Sequence, residues 1–338
     1  MKKQLTHIIM PWSITLIALW IAFRGIDWVD LSNNLKNTNP RWVIAAIILT
    51  SFSYILRSIR WLFLFPEGKV AFFDSLRVLI LGFFMNNILP ARAGELVRAH
   101  VGGKIMGKRG TTVLATIASE RLADGLTISF MFLIFSAALH DYSYSKGLFL
   151  VSMIFAGISM ATIIVLFFRH KLFGSIEKKA SKTTRPATRY ALERVKIFLE
   201  GLEPLINPVS IIIIALWSGA IWSVELGVYY CVTNAFDQML SLPECAVFLV
   251  AVNFSSLIPA APGGLGTIEA ISSHILQVMG ITRETALSMV ITQHLIQYLV
   301  VALPGLLIML KLRKLISQAQ AENQIEREAP PVNSAVNS

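Results

Sequence analysis

Charge is scarce in this sequence. Asp, Glu, Lys and Arg make up only 15% of its 338 residues, against 55% hydrophobic residues and a mean hydropathy of +0.64. A water-soluble domain carries about a quarter of charged residues, so these proportions exclude a single soluble core and require apolar surface to be buried in lipid. Cysteine is nearly absent. Cys231 and Cys245 lie in apolar stretches without metal-like spacing, so they read as packing residues and carry no information on redox compartment. There is no HExxH, no P-loop, no GxGxxG and no nucleophile elbow, so nothing indicates ATP hydrolysis, acyl transfer or a metal. His274 and His294 sit in apolar surroundings without clustered carboxylates. The expectation is therefore a protein that is not an enzyme, with no cofactor and no metal. The net charge of +10 does not imply nucleic acid, because the basic residues cluster between apolar runs, as orientation signals in a multi-span membrane protein do.

Apolar runs, by contrast, are plentiful. A spanning helix needs roughly 20 mostly apolar residues. Six stretches meet or approach that length: 6–23, 42–65, 112–139, 147–168, 210–235 and 286–310. The first follows Lys2-Lys3 without a small-residue cleavage site, so a retained helix is expected there rather than a removed signal. The segment 169–200 carries nine Lys or Arg against Glu177, Glu193 and Glu200. By the positive-inside rule it is cytoplasmic, as are Lys2-Lys3, the stretches Arg57 to Arg77 and Arg92 to Arg109, and Lys311 to Lys314. Both termini then face the cytoplasm of a bacterial inner membrane. Residues 169–209 read as a basic amphipathic segment on anionic inner-leaflet lipids, and 316–338 as a disordered tail after a single transport domain, 1–315.

Counting crossings leaves two segments that are too short. Phe72 to Pro90 lies between two inside charges, so it enters and returns from the cytoplasmic side, in along 73–88 and out along 92–103. The segment 243–280, broken at Pro259 to Gly266, is either a hairpin entering from outside or two short full spans. The breaks resemble each other. Asn86-Asn87-Ile88-Leu89-Pro90-Ala91-Arg92-Ala93-Gly94 echoes Ser255-Ser256-Leu257-Ile258-Pro259-Ala260-Ala261-Pro262-Gly263. Paired broken segments in corresponding halves point to a transport site at the junction of an inverted repeat. The predicted fold is all-α and membrane-embedded, with about six full spans and two opposed re-entrant hairpins.

Charged residues near the breaks supply the candidate site. Arg92, Glu95 and Arg98, spaced i, i+3, i+6, share one part of a helix surface. They are either ordinary snorkelling charges or a grip on an anionic head group, with Glu95 holding one of the arginines in place. Glu120, Arg121 and Asp124 interrupt an apolar span, either as an ion pair closed on itself or as part of a cavity. Glu269 follows Pro262-Gly263-Gly264-Leu265-Gly266, whose glycines permit left-handed angles and exposed amides. It either caps the next helix or titrates during transport, and Glu225 is a second carboxylate of that kind.

On Asn86-Asn87 with Pro90, Arg92, Gly94-Glu95 and Arg98, on Glu120-Arg121 with Asp124, and on Pro262 to Glu269, the chain resembles the lysylphosphatidylglycerol synthase transmembrane family. These flippase-like proteins include the membrane half of the multiple peptide resistance factor. The resemblance covers residues 5 to 315. It implies movement of an anionic or aminoacylated phospholipid, or a polyprenyl-phosphate lipid, between leaflets. The synthases add a soluble aminoacyl-transfer domain after the membrane region, and none follows Lys314, so lipid aminoacylation is not expected. Two other readings stay open: a small-solute or ion transporter on the same scaffold, and a non-transporting membrane partner of a lipid-modifying enzyme. Homo-oligomerisation is left open as well.

Overall fold

The structure, a computed structural model, describes residues 2–65, 69–138, 146–167, 186–258 and 262–328. The described residues form twelve α-helices and no strand. Helix α1 spans Lys2–Phe23, α2 Trp28–Lys36, α3 Pro40–Leu62, α4 Phe72–Ile88, α5 Gly94–Ile105 and α6 Gly110–Ser136. Then follow α7 (Lys146–Phe167), α8 (Pro186–Gly201), α9 (Pro208–Ala235), α10 (Leu242–Ser255), α11 (Thr267–Val278) and α12 (Arg283–Glu328). Each of the six expected spans coincides with one of these helices. Three helices, α3, α9 and the Arg283–Leu312 part of α12, are long and apolar enough by length and composition to cross a membrane.

The termini of these helices follow local chemistry. Asn39 and Asn207 accept backbone N–H groups at the starts of α3 and α9, each followed by a proline at the first helical position. Ser241 and Glu244 form a capping box at the start of α10. The amphipathic α2 was not anticipated. Asp27 caps it, and its Leu31 packs with Leu287 of α12.

Burial is inverted relative to a soluble bundle. On α3 the exposed large residues are Ile44, Ile48, Phe52 and Ile55, while Thr50, Ser53, Arg57, Ser58 and Arg60 are buried. On α9, Val209, Ile212 and Leu216 are exposed, whereas Ser218, Glu225 and Thr233 are buried. Apolar faces outside and polar faces inside suit a lipid solvent, which rewards no burial of leucine but penalises an exposed charge.

The packing partners correspond between the two halves. Helices α3 and α9 lie against each other. In the first half α3 meets α4, α4 meets α5 and α5 meets α6; in the second α9 meets α10, α10 meets α11 and α11 meets α12. The halves also exchange contacts in matching fashion: α4 with α12 and α10 with α6, α3 with α12 and α9 with α6. The two breaks, centred on the 3-10 turns Pro90–Arg92 and Pro262–Gly264, touch each other. The helices flanking the second break have 14 and 12 residues, or about 21 and 18 Å, well short of a bilayer core of about 30 Å.

Several expectations change. Arg57 and Arg60 are not loop charges, because both lie inside α3 and are buried among carboxylates. Helix α12 continues to Glu328, beyond the point where a disordered tail was expected, and 329–338 lie outside the described residues. Of the basic 169–209 segment, 169–185 is outside the described residues. The rest forms α8, which places Phe198 and Leu199 against the protein and leaves Tyr190 and Val195 exposed. Pro259, Ala260 and Ala261 also fall outside the described residues.

Candidate functional site

A cavity of about 460 Å³ opens where the two breaks meet. Its walls come from both halves: Asn86, Asn87 and Arg92 from the end of α4 and the first break, and Asn253, Ser256, Gly263 and Gly264 from the second. Arg57, Glu95, Arg121, Asp124, Glu225, His294, Gln297 and Tyr298 complete the polar lining. Of the residues expected at the site, the structure brings Asn86, Asn87, Arg92, Glu95, Arg121, Asp124, Gly263 and Gly264 to the cavity. Pro90, Arg98, Glu120, Pro262, Gly266 and Glu269 support it from outside.

Arg98 is a correction. It was expected to grip a head group beside Arg92, but it is 1% exposed and forks onto Glu120, itself 0% exposed. Its two terminal nitrogens donate to Glu120 Oε1 and Oε2 at 3.1 and 2.8 Å, and its guanidinium lies 3.7 Å from the Trp61 ring centroid. Both carboxylate oxygens are used, so this pair is structural and joins α5 to α6. The second correction concerns Glu95. It was expected to hold Arg92 or Arg98 and instead accepts from Arg121 Nε at 2.7 Å. The Glu120-Arg121-Asp124 run closes on itself only through a long Arg121–Asp124 contact of 4.0 Å, and its shorter contacts leave the run. Glu120 turns to Arg98, Arg121 to Glu95, and Asp124 to α3 and α9.

Asp124 is the hub of the floor. It accepts from Arg60 Nη1 at 2.6 Å and from the Trp222 indole at 3.0 Å, with Arg57 at 3.5 Å. Arg57 also reaches Glu225 at 3.2 Å, and Glu225 accepts from Gln297 at 3.3 Å. The sequence carried a signal for this cluster that the loop-charge argument masked. Arg57 and Arg60 are three apart, so they share one face of the 23-residue apolar helix that ends at Leu62.

Arg92 differs from the other arginines. It takes φ 54, a left-handed value that is uncommon outside glycine, and its Nη2 donates to Ser256 Oγ at 2.8 Å across the two breaks. No carboxylate among the described residues lies within ion-pair distance of it, and it is partly exposed to the cavity. An arginine in such a place is free to take an anion. Gly94 is required beside it, because a Cβ there would collide with the Gly82 carbonyl and the Asn86 amide.

On the opposite wall Glu269 takes the capping role considered for it and has a second partner. Its Oε2 accepts from the Gly266 amide at 2.6 Å, closing the start of α11, while Oε1 meets His294 Nδ1 at 2.6 Å. His294 Nε2 lies 3.1 Å from the Gly263 carbonyl. The glycines 263, 264 and 266 have φ of 69, 78 and 86, as their spacing predicted, and a Cβ on Gly263 would overlap the Tyr298 hydroxyl. His294, dismissed as a metal ligand, thus proves to be a site residue of another kind; only the fold brings it to Glu269, 25 positions away. The charge census of the site is even. Arg57, Arg60, Arg92, Arg98 and Arg121 stand against Glu95, Glu120, Asp124, Glu225 and Glu269, with His294 left over. Among the described residues no group of three His, Cys, Asp or Glu is placed to hold a metal.

The sequence matches the family described as lysylphosphatidylglycerol synthase TM region over residues 8–305. It is also similar to archaeal proteins named UPF0104 membrane proteins. One, from Methanocaldococcus jannaschii, is 25% identical over 95% of this chain and 100% of its own length. Another, from Pyrococcus horikoshii, is 23% identical over 94% and 99%. A match of that length, on a chain whose polar faces point inward and whose breaks meet at one cavity, places it: this chain is a membrane protein of the lysylphosphatidylglycerol synthase transmembrane-region family.

Proposed function

We propose that the chain moves an anionic amphipathic lipid, a phospholipid or polyprenyl-phosphate lipid, between the leaflets of the cytoplasmic membrane. The observation that supports this reading is Arg92. It is an arginine with no carboxylate within ion-pair distance among the described residues, in a cavity wall at the junction of two broken segments. The head group enters the cavity and meets Arg92, with Asn86, Asn87 and Ser256 as neutral donors and acceptors. The acyl chains stay in lipid, so only polar atoms cross.

In this reading the halves are an inverted repeat. Helices α4 and α5 form a re-entrant hairpin from the cytoplasmic face, and α10 and α11 one from the outside, flanked by six full spans with both termini inside. The matched packing partners of the two halves support it. Alternating access is then a rocking of one half against the other about the α3–α9 contact. The protein is a transporter rather than an enzyme, residues 1–315 being its transport domain and α8 resting on anionic inner-leaflet lipids.

The test is dithionite quenching of fluorescent phosphatidylglycerol in vesicles containing the purified chain or its Arg92→Ala variant. Faster leaflet exchange than in protein-free vesicles, lost in the variant, is expected. Equal exchange in all three sinks the lipid reading and returns the cavity to a small-solute transporter.

A further inference from the structure

The His294–Glu269 pair holds one more feature, and the cargo class argued from it rests on the anion-transport reading above. The imidazole is flanked by two acceptors, Glu269 Oε1 at 2.6 Å from Nδ1 and the Gly263 carbonyl at 3.1 Å from Nε2. A neutral imidazole carries one N–H and can serve only one of them. Glu269 cannot turn away, because its other oxygen accepts from the Gly266 amide at 2.6 Å. Both contacts are hydrogen bonds only when the pair holds an additional proton, as imidazolium with carboxylate or as imidazole with carboxylic acid. Without that proton one of the two contacts sets lone pair against lone pair, at 3.1 Å between Nε2 and the Gly263 carbonyl when Nδ1 keeps the hydrogen, and that lost bond would loosen the second break from α12.

That extra proton also unbalances the site. Five arginines already match five carboxylates, so the protonated pair leaves one uncompensated positive charge. No charge near the ring removes it. Tyr298 lies edge-on with its ring centroid 4.8 Å away, and its hydroxyl donates to the Pro262 carbonyl at 3.2 Å. Across the cavity stand the Arg57–Asp124–Glu225 cluster, the Glu95–Arg121 pair and Arg92, which together carry no surplus carboxylate. Helix α1 approaches Gly266 with Thr15, Ala18 and Leu19, none of which titrates. Helix α2 meets α12 at Thr285, about two and a half turns from His294. The titratable residues of α4 near its start, Asp74 and Arg77, are at the end away from the break.

We propose that His294 and Glu269 form a proton-binding site, and that the cavity takes up one proton with each monoanionic head group. The pair is made whole by the proton and the site is made neutral by the anion. A phosphodiester has the required single charge near neutral pH and does not itself titrate there, so it is the chemical class that this site fits. His294 stands on the wall of the cavity and fixes the backbone of the second break, whose neighbour Ser256 touches Arg92. Proton and anion therefore act on one piece of structure, which is what coupling requires.

The experiment is titration calorimetry of the full chain in phosphatidylcholine nanodiscs, in two buffers of different ionisation heat, against empty discs. The probes are dihexanoyl-phosphatidylglycerol and glycerophosphoglycerol, the same head group without acyl chains. Across a pH series, the expected result is uptake of about one proton per phosphodiester bound over part of the range, whereas the variants show none. His294→Gln and Glu269→Gln are each expected to bind with that uptake lost. Glutamine at 269 keeps an oxygen for the Gly266 amide, so it preserves the helix start if the histidine variant is unstable. Equal proton uptake by wild type and variants, zero included, overturns the proposal, as does an absence of binding heat with both probes. Proton uptake with glycerophosphoglycerol but no leaflet exchange in the vesicle assay leaves this inference standing and removes the lipid reading. Leaflet exchange without proton uptake does the reverse.

Discussion

The two breaks share a plan and differ in what they carry. At the first, Glu95 of α5 meets Arg121 of α6 at 2.7 Å; at the second, Glu269 of α11 meets His294 of α12 at 2.6 Å. Each is a carboxylate at the start of the helix after the break that meets a basic side chain on the next helix, a guanidinium at the first and an imidazole at the second. The guanidinium can only donate, whereas the imidazole ring can donate and accept. The backbones differ in the same direction. The first break runs over residues 89–93 and is clamped by Arg92, whereas the second runs over 256–266 and contains three glycines at positive φ. One side is thus a fixed wall and the other, by its glycines, a deformable one.

The most damaging change should fall on the fixed side. Arg98→Ala leaves Glu120 ionised and buried without a partner, and a loss of about 3–5 kcal/mol in unfolding free energy is expected, with poor recovery of folded protein. Replacing both partners by Met and Leu should cost much less in the same detergent unfolding assay. If the single change were as mild as the double, the pair would not be the brace described.

Next comes the deformable side. Gly263→Ala must place a Cβ where the Tyr298 hydroxyl sits, at φ 69, and should destabilise by about 2 kcal/mol through strain. Adding Tyr298→Phe should recover part of that loss in thermal unfolding, whereas a backbone-only cost would leave the double variant unchanged.

Arg92→Ala separates function from stability. Its hydrogen bond to a single serine predicts less than about 1 kcal/mol of unfolding free energy, while loss of the charged contact predicts roughly tenfold slower leaflet exchange. Similar exchange rates with a large stability loss would make Arg92 a structural clamp only. The smallest effect is expected at Glu95→Gln. The pair with Arg121 is partly exposed, so its unfolding free energy should change by less than about 1 kcal/mol. Its transport should keep the pH profile of the wild type, in contrast to Glu269→Gln, and a matching change of profile in both would erase the distinction between the walls.

Much of the fold was legible because lipid leaves so few options. Six apolar stretches became helices, and the Pro-Ala…Gly echo marked both places where helices stop. Helix α2 escaped notice because it is only nine residues long, too short to compete with the apolar spans on either side. The site was half legible. Arg92, Glu95, Arg121, Asp124 and the glycines were found through their position beside the breaks or within an apolar span. Arg57 and Arg60 were assigned to a loop, since a span boundary drawn by hydropathy cannot tell a charge ending a helix from one buried three turns inside a bundle. Pairings were not legible at all. The spacing of Glu95 favours Arg92 and Arg98, each three positions away, whereas its partner in the fold, Arg121, is 26 positions off on another helix.

By itself, then, the sequence determined the solvent, the helical class and the two interruptions with their similar residues. These depend on composition and local backbone chemistry, which act over a few residues. The tertiary structure alone decided which arginines meet a carboxylate, and that a histidine 25 positions from Glu269 lies 2.6 Å from it. A buried charge is defined by its partners, and on this fold the partners come from other helices.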